Sequence, residues 1–173
     1  MKIQNKRQSV ENLVRAAMLA ATVFLMTRFL MVPLPVMGYI HLGDCAVMAA
    51  GVLLPLPFSA VAVAFGAALA DATAGYLIYV PITLLTKAAM TLAFDFGGEK
   101  LLSKRNIFAA VFAVIINAAG YYMGEVILYR SFVSPLASIP FNLVQSAVGA
   151  LIFAVFCIFV DTKPNIRKIF RGR

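Results

Sequence analysis

The sequence predicts an all-α, polytopic membrane protein that crosses the bilayer six times, with both termini in the cytoplasm. Hydrophobic residues make up 62% of the chain and charged residues 13%, against roughly 45–50% and roughly 25% in soluble domains. Turn residues divide the chain into apolar segments of about helix length, and lysine and arginine collect in three places. A bilayer core about 30 Å thick needs about 20 helical residues per crossing. The 173 residues therefore form a single membrane domain, 1–173.

Six apolar segments are the predicted transmembrane helices. They cover residues 10–31, 42–54, 58–80, 82–96, 107–129 and 139–160. Pro33 and Pro35 end the first helix, and Pro81 lies in the first turn of the fourth, where proline is tolerated. The second segment is the shortest and reaches only about 18–20 Å. We expect it to be tilted, partly covered by protein, or extended by the loop before it.

The basic residues set the predicted orientation. They are Lys2, Lys6, Arg7 and Arg15 at the first helix, Lys100, Lys104 and Arg105 between the fourth and fifth, and Lys163, Arg167, Lys168, Arg171 and Arg173 in the tail. The positive-inside rule assigns all three groups to the cytoplasm. Two cytoplasmic termini require an even number of crossings. Topology thus explains the net charge of +8, and nothing points to nucleic acid.

The N-terminus and the cysteines give little further information about function. The basic start resembles a secretory signal, but the apolar stretch is long and leads into another crossing, so we expect an uncleaved helix. Cys45 and Cys157 lie in apolar runs without a partner at metal-ligand spacing, and we interpret them as small core residues. We predict no metal and no cofactor.

Polar residues are unevenly distributed across the predicted bilayer. The outer halves of the helices carry Asp44, Asp71, Lys87, Tyr121, Glu125, Asn142 and Gln145, with Asn117 near the middle. The inner halves are almost entirely apolar. Ionisable groups in a bilayer are costly unless paired or hydrated, and a path across the membrane would need polar residues at every depth. The pattern predicts a cup open to the outside, with a rim of Arg28, Tyr39, His41, Tyr76, Tyr79, Tyr129 and Arg130.

Each of these residues also has a simpler interpretation. Asp44 in "LGD" has the position of a helix cap, and His41 and the tyrosines suit interfacial anchors. Asp71 and Lys87 are candidates for a pair that only holds helices together, while Asn142 and Gln145 suit interhelical hydrogen bonds.

The first helix carries two small-xxx-small pairs in "RAAMLAATVF". Ala16 pairs with Ala20 and Ala17 with Ala21, a spacing that lets another helix approach closely. Internal packing and docking of a partner protein both fit this pattern.

Together with "GYIHLGDCAVMAAGVLLP" and "GAALADATAGYLIYVPITLLTKA", this first helix resembles the substrate-binding S component of energy-coupling factor (ECF) vitamin transporters, riboflavin-type subgroup. The resemblance covers roughly Val10 to Val160. It implies a six-helix protein of the bacterial plasma membrane that captures a vitamin outside, docks on a transmembrane T component with two ATPase subunits, and turns in the membrane. It also implies that the alanine pairs form the docking face.

The resemblance implies substrate-binding residues in the first loop and the outer parts of the helices. The candidates are Tyr39, His41, Asp44, Asp71, Tyr76, Lys87, Asn117, Tyr121, Glu125, Asn142 and Gln145. The substrate classes are riboflavin, pyridoxine, hydroxymethylpyrimidine or a similar small cyclic compound. The chain has no tryptophan to stack a flavin, although tyrosine and phenylalanine side chains can take that role. The chain has no GxxxxGK[ST] loop, so energy must come from partners.

Two other functions compete with this prediction. An intramembrane aspartic hydrolase would use Asp44 and Asp71 as a carboxylate dyad, but the other motifs of such enzymes are not evident. A small stand-alone carrier would favour inverted repeats or broken helices, and we find neither.

Overall fold

The computed structural model describes residues 2–34, 38–163 and 165–166, with the backbone alone for residues 2–7. These residues form six α-helices and one hairpin: α1 Lys2–Phe29, β1 Met31–Pro33, β2 Tyr39–His41, α2 Gly43–Leu53, α3 Phe58–Ala74, α4 Val80–Thr91, α5 Lys104–Tyr129 and α6 Ile139–Asp161. Several residues of the predicted turn and basic groups fall outside this description. They are Pro35, Arg167, Lys168, Arg171 and Arg173, and the side chains of Lys2, Lys6 and Arg7.

Among the residues that the structure describes, three stretches are long and apolar enough to cross a membrane. They are Gln8–Phe29, Lys104–Tyr129 and Ser134–Asp161, while Gly43–Leu53, Phe58–Ala74 and Leu77–Thr91 are shorter apolar helices. The all-helical architecture is thus confirmed. Six crossings and cytoplasmic termini stay predictions.

The short helix α2 forms the centre of the bundle. All of its residues except Ala49 are buried, and it packs against α1, α3, α4 and α6. A helix enclosed in this way does not need to match the thickness of the bilayer. Its shortness is therefore explained by cover from the surrounding helices, one of the three expected solutions.

Several helix boundaries differ from the prediction. Helix α1 runs from Lys2 to Phe29 rather than over 10–31. Helix α3 ends at Ala74 rather than at residue 80 because Gly75 takes the left-handed conformation, with φ of 90°, which terminates a helix. Helix α4 ends at Thr91 instead of residue 96. Helix α5 begins three residues early, at Lys104, because the Ser103 hydroxyl accepts a hydrogen bond from Asn106 N at 3.2 Å.

The alanine pairs of α1 face in different directions. A Cβ atom at Gly66 of α3 would lie 2.3 Å from the carbonyl oxygen of Ala20, so the two backbones nearly touch. Ala16 is buried against Ala62 and Leu54. Ala17 and Ala21 are exposed. One pair therefore packs internally and the other is free of the bundle.

A two-stranded antiparallel hairpin connects α1 and α2. Met31 pairs with His41, Val32 with Ile40, and Pro33 with Tyr39. The α3–α4 and α5–α6 connections lie at the same end of the bundle, which we call the hairpin end. The α2–α3 and α4–α5 connections lie at the opposite end, named here the loop end.

Candidate functional site

A small cavity lies at the hairpin end, between the hairpin, α3, α5 and α6. It is lined by Leu34, Gly38, Tyr39, Ile40, His41, Asp71, Tyr76, Tyr79, Tyr121, Glu125, Ser138, Phe141, Asn142 and Gln145. Its volume is about 40 Å³, which is room for a few water molecules. The side chains that line it must move apart before a ring-sized compound can enter.

Tyrosine side chains close the cavity on the side of the hairpin. The Tyr39 hydroxyl donates a hydrogen bond to Asp71 Oδ1, and its ring centroid lies 4.9 Å from that of Tyr76. The Tyr76 hydroxyl donates to Gly38 O at 3.4 Å. Burial and the Asp71 charge raise the pKa of Tyr39, so the hydroxyl stays protonated and acts as the donor.

Helices α5 and α6 form the opposite wall. The Ser138 hydroxyl donates to Glu125 Oε2 at 2.5 Å, and Asn142 Nδ2 donates to Ser138 O at 3.1 Å. Tyr79 and Tyr129 share a hydrogen bond of 2.6 Å between their hydroxyls. These bonds hold one carboxylate and one carboxamide beside the cavity.

A buried polar network lies directly beneath the cavity. Lys87 Nζ donates to Asp44 Oδ1 at 2.5 Å and to Asn117 Oδ1 at 2.7 Å. Asp44 Oδ2 also accepts from Gln145 Nε2 at 2.9 Å and from the Ser146 hydroxyl at 2.5 Å. The Lys87 and Asp44 side chains are fully buried. The network seals the cavity from the apolar core below it.

His41 and Gln145 connect the network to the cavity. His41 N donates to Gln145 Oε1 at 3.1 Å, and His41 Nδ1 accepts from Gly43 N at 3.0 Å. Burial lowers the pKa of His41 to about 4; the nearby Lys87 also lowers it, whereas Asp44 opposes the shift. The imidazole is therefore neutral at pH 7, with its proton on Nε2 because Nδ1 is an acceptor.

The structure brings most of the predicted site residues to one cavity. Eight line it: Tyr39, His41, Asp71, Tyr76, Tyr121, Glu125, Asn142 and Gln145. Asp44, Lys87 and Asn117 do not line it and belong to the network below.

Three alternative interpretations of the sequence are wrong. Asp44 is not a helix cap, since Leu42 occupies that position and no side chain caps α2. Lys87 is paired with Asp44, and Asp71 with Tyr39, so Asp71 and Lys87 are not partners. Asp44 and Asp71 share no hydrogen bond, and only Asp71 lines the cavity. The two carboxyl groups therefore do not form an aspartic dyad.

Some cavity residues were not predicted. Ser138 and Phe141 lie at the start of α6, and Leu34, Gly38 and Ile40 belong to the hairpin region. The sequence around Ser138 contains no motif that marks it as a site residue. Its role becomes visible only in the structure, where its hydroxyl contacts Glu125. The predicted rim residues that line the cavity are Tyr39, His41, Tyr76 and Tyr79. Tyr129 contacts Tyr79, whereas Arg28 lies over the Phe29 ring at 5.7 Å and Arg130 ends α5 with φ of 49°.

Within the described residues, no group of three His, Cys, Asp or Glu side chains is arranged to hold a metal ion. Cys45 and Cys157 are buried free thiols. The site's chemistry is that of noncovalent recognition: hydrogen-bonding groups and aromatic rings around a small hollow.

The chain matches one family model over residues 7–161, described as "ECF-type riboflavin transporter, S component". No curated protein matches the chain. Members of this family are substrate-binding subunits of vitamin transporters in membranes and are not enzymes. Because the match spans most of the sequence, the chain belongs to the ECF-type riboflavin transporter S component family.

Proposed function

We propose that this chain captures a vitamin or vitamin precursor from outside the cell, in the cavity at the hairpin end. It then delivers the compound by docking on a transmembrane T component with two ATPase subunits. Riboflavin, pyridoxine, hydroxymethylpyrimidine and similar small cyclic compounds are the substrate classes. The membrane is the bacterial plasma membrane, which the chain crosses six times.

The observation that carries this proposal is a polar cavity at one end of the bundle, sealed beneath. Eight of the eleven predicted binding residues line it, the Lys87 network closes its floor, and an apolar core fills the space towards the loop end. That core includes Val47, Met48, Phe94, Phe153 and Val160. This arrangement suits capture followed by reorientation, because a channel would need polar groups at every depth.

The exposed alanine pair supports the docking step. Ala17 and Ala21 are one turn apart on α1 and exposed, so a partner helix can approach them closely. Ala16 and Ala20 face α3 instead, which removes them from the proposed docking face. We therefore assign docking to Ala17 and Ala21.

The first experiment is mass spectrometry of small molecules that co-purify with the chain in lipid nanodiscs, followed by calorimetric titration with a panel of B vitamins and precursors. Glu125→Ala removes a carboxylate at the cavity wall and should weaken binding at least about tenfold, the worth of one charge-assisted hydrogen bond. The matched control is Glu99→Ala, an exposed residue at the loop end, which should keep affinity within about threefold, the effect of a neutral surface change. Absence of binding across the whole panel would contradict the proposal.

A further inference from the structure

The cavity is lined by acidic groups and no cation. Asp71 and Glu125 are both buried, at 4% and 3% exposure, and both line it. None of its lining residues is a lysine or arginine. Lys87 is committed to Asp44 and Asn117 beneath the cavity, and His41 is neutral. The hollow therefore presents two carboxylates without a cationic partner inside it.

One of these carboxylate oxygens has no partner. Asp71 Oδ1 accepts from Tyr39, but buried Asp71 Oδ2 accepts no hydrogen bond. The Thr83 hydroxyl lies near this carboxylate and shares a hydrogen bond of 2.8 Å with the Tyr121 hydroxyl, in which either oxygen can be the donor. A buried acceptor without a donor is costly. A ligand that brings a donor, and above all a positively charged one, removes this cost.

Aromatic rings surround the same carboxylate. The Tyr39 ring centroid lies 5.5 Å from that of His41 and 4.9 Å from that of Tyr76, and Tyr76 lies 6.3 Å from Tyr79. The faces of aromatic rings carry negative potential and attract cations, and they also stack on flat heterocycles. Three tyrosines beside an unpartnered carboxylate form a wall suited to a flat, positively charged ring compound.

We propose that the substrate is a cationic heterocycle with an N–H donor, which donates to Asp71 Oδ2 while its ring packs against Tyr39 and Tyr76. Glu125, across the cavity, is a second acidic side chain and accepts a hydrogen bond from Ser138. This inference rests on the proposed capture function and narrows its substrate class. A neutral flavin ring would leave both carboxylates uncompensated.

A matched pair of ligands tests this inference in the unaltered protein. Pyridoxamine carries a protonated aminomethyl group at pH 7, and pyridoxine carries a hydroxymethyl group at the same position. We expect calorimetry in nanodiscs to give at least about tenfold tighter binding of pyridoxamine, which corresponds to a charged hydrogen bond. A second pair extends the comparison: thiamine is a permanent cation and riboflavin is a neutral ring. Thiamine should bind more tightly than riboflavin.

Two variants and two matched controls test which carboxyl groups cause the preference for a cationic ligand. Asp71→Asn should abolish the preference for pyridoxamine and Glu125→Gln should reduce it, while Asp95→Asn and Glu99→Gln, which make the same changes at the loop end, should leave it intact. Equal or tighter binding of pyridoxine and riboflavin would overturn this inference and leave the capture function standing. Binding of none of the four compounds would overturn this inference, whereas absence of binding across the whole vitamin panel would overturn the capture function as well. Because the ligand comparison uses the unaltered chain, it decides the question even if a variant fails to fold.

Discussion

Lys87 shows why a lysine is retained in the interior of an apolar bundle. Its side chain is fully buried, and its ammonium contacts a carboxylate, a carboxamide oxygen and, at 5.3 Å, the face of the Tyr121 ring. Desolvating two charges is costly, so a buried pair contributes little net stability, but removing one partner leaves the other charge unpaired. The pair therefore positions Gln145 at the cavity floor through Asp44.

Lys87→Met should lower the free energy of unfolding by about 3–5 kcal/mol, because it leaves the Asp44 carboxylate buried without its cation. Thermal unfolding in detergent measures the loss. Adding Asp44→Asn to Lys87→Met should recover part of it by removing the unpaired charge. Lys104→Met, at an exposed lysine, serves as control and should change stability by less than about 0.5 kcal/mol. A Lys87→Met protein as stable as the unaltered chain would contradict this role.

His41 predicts a pH dependence of stability. Its pKa is about 4 in the folded chain, against an ordinary value of 6.5, so between these values the unfolded state binds a proton that the folded state excludes. Stability should fall as pH falls through this window, by at most about 3 kcal/mol at pH 4. The melting temperature of His41→Asn should fall less steeply from pH 7 to pH 4.5. Parallel slopes for the two proteins would show that His41 does not titrate in this way.

Composition and depth predict most of the site, but not its pairing. Charged and amide groups in a bilayer have to meet one another or water, so their shared depth predicts a common cluster. Partners depend on how each helix is rotated, which the sequence leaves open. For this reason the sequence predicts Lys87 as a substrate-binding residue and a candidate partner of Asp71, whereas in the structure Lys87 donates hydrogen bonds to Asp44 and Asn117.

At the scale of the elements, the contact between α1 and α3 is set by Gly66. Its missing side chain allows the Ala20 carbonyl to approach. Gly66→Ala should push the helices apart and destabilise the protein by about 1–3 kcal/mol, the usual cost of overpacking. Gly97→Ala is the matched control, because the nearest atom to its added methyl group lies 3.7 Å away. Equal melting temperatures for the two variants would show that α1 and α3 adjust without cost.

The two faces of α1 predict different outcomes for the same substitution. Ala17→Trp places a large side chain on the exposed face, so it should abolish vitamin uptake by cells that contain the T component and ATPases while leaving binding intact. Ala16→Trp places it in the buried face and should disrupt folding and binding together. Loss of binding in Ala17→Trp would indicate that this residue also packs internally.

Helix existence follows from apolar length, whereas helix ends depend on local conformation. All six predicted helices are present, since each apolar run is long enough and bounded by turn residues. The early end of α3 depends on Gly75 adopting positive φ, and the position of a glycine alone does not reveal this. The sequence does not predict the hairpin, because a strand of three residues has too few positions to show an alternating pattern.

At the scale of the whole molecule, the chain is layered along the bundle axis. The cavity lies at the hairpin end, the Lys87 network beneath it, and the apolar core beyond. At the loop end, Asp161 accepts hydrogen bonds from Leu101 N and Leu102 N, both at 2.9 Å, which ties the α4–α5 connection to α6. Among the described residues, the cavity lies at one end of this layered bundle, so the orientation of the chain in the membrane decides which side the cavity faces.

Cysteine labelling in intact cells tests this orientation. Both native cysteines are buried, at 6% and 0% exposure, so background labelling should be low. Val133→Cys, at a 75% exposed position between α5 and α6, should react with a membrane-impermeant maleimide added outside. Lys100→Cys, exposed at the loop end, should react only after the membrane is opened. The reverse pattern would place the cavity on the cytoplasmic side and exclude capture from outside. It would also show that the positive-inside rule assigns the wrong orientation to this chain.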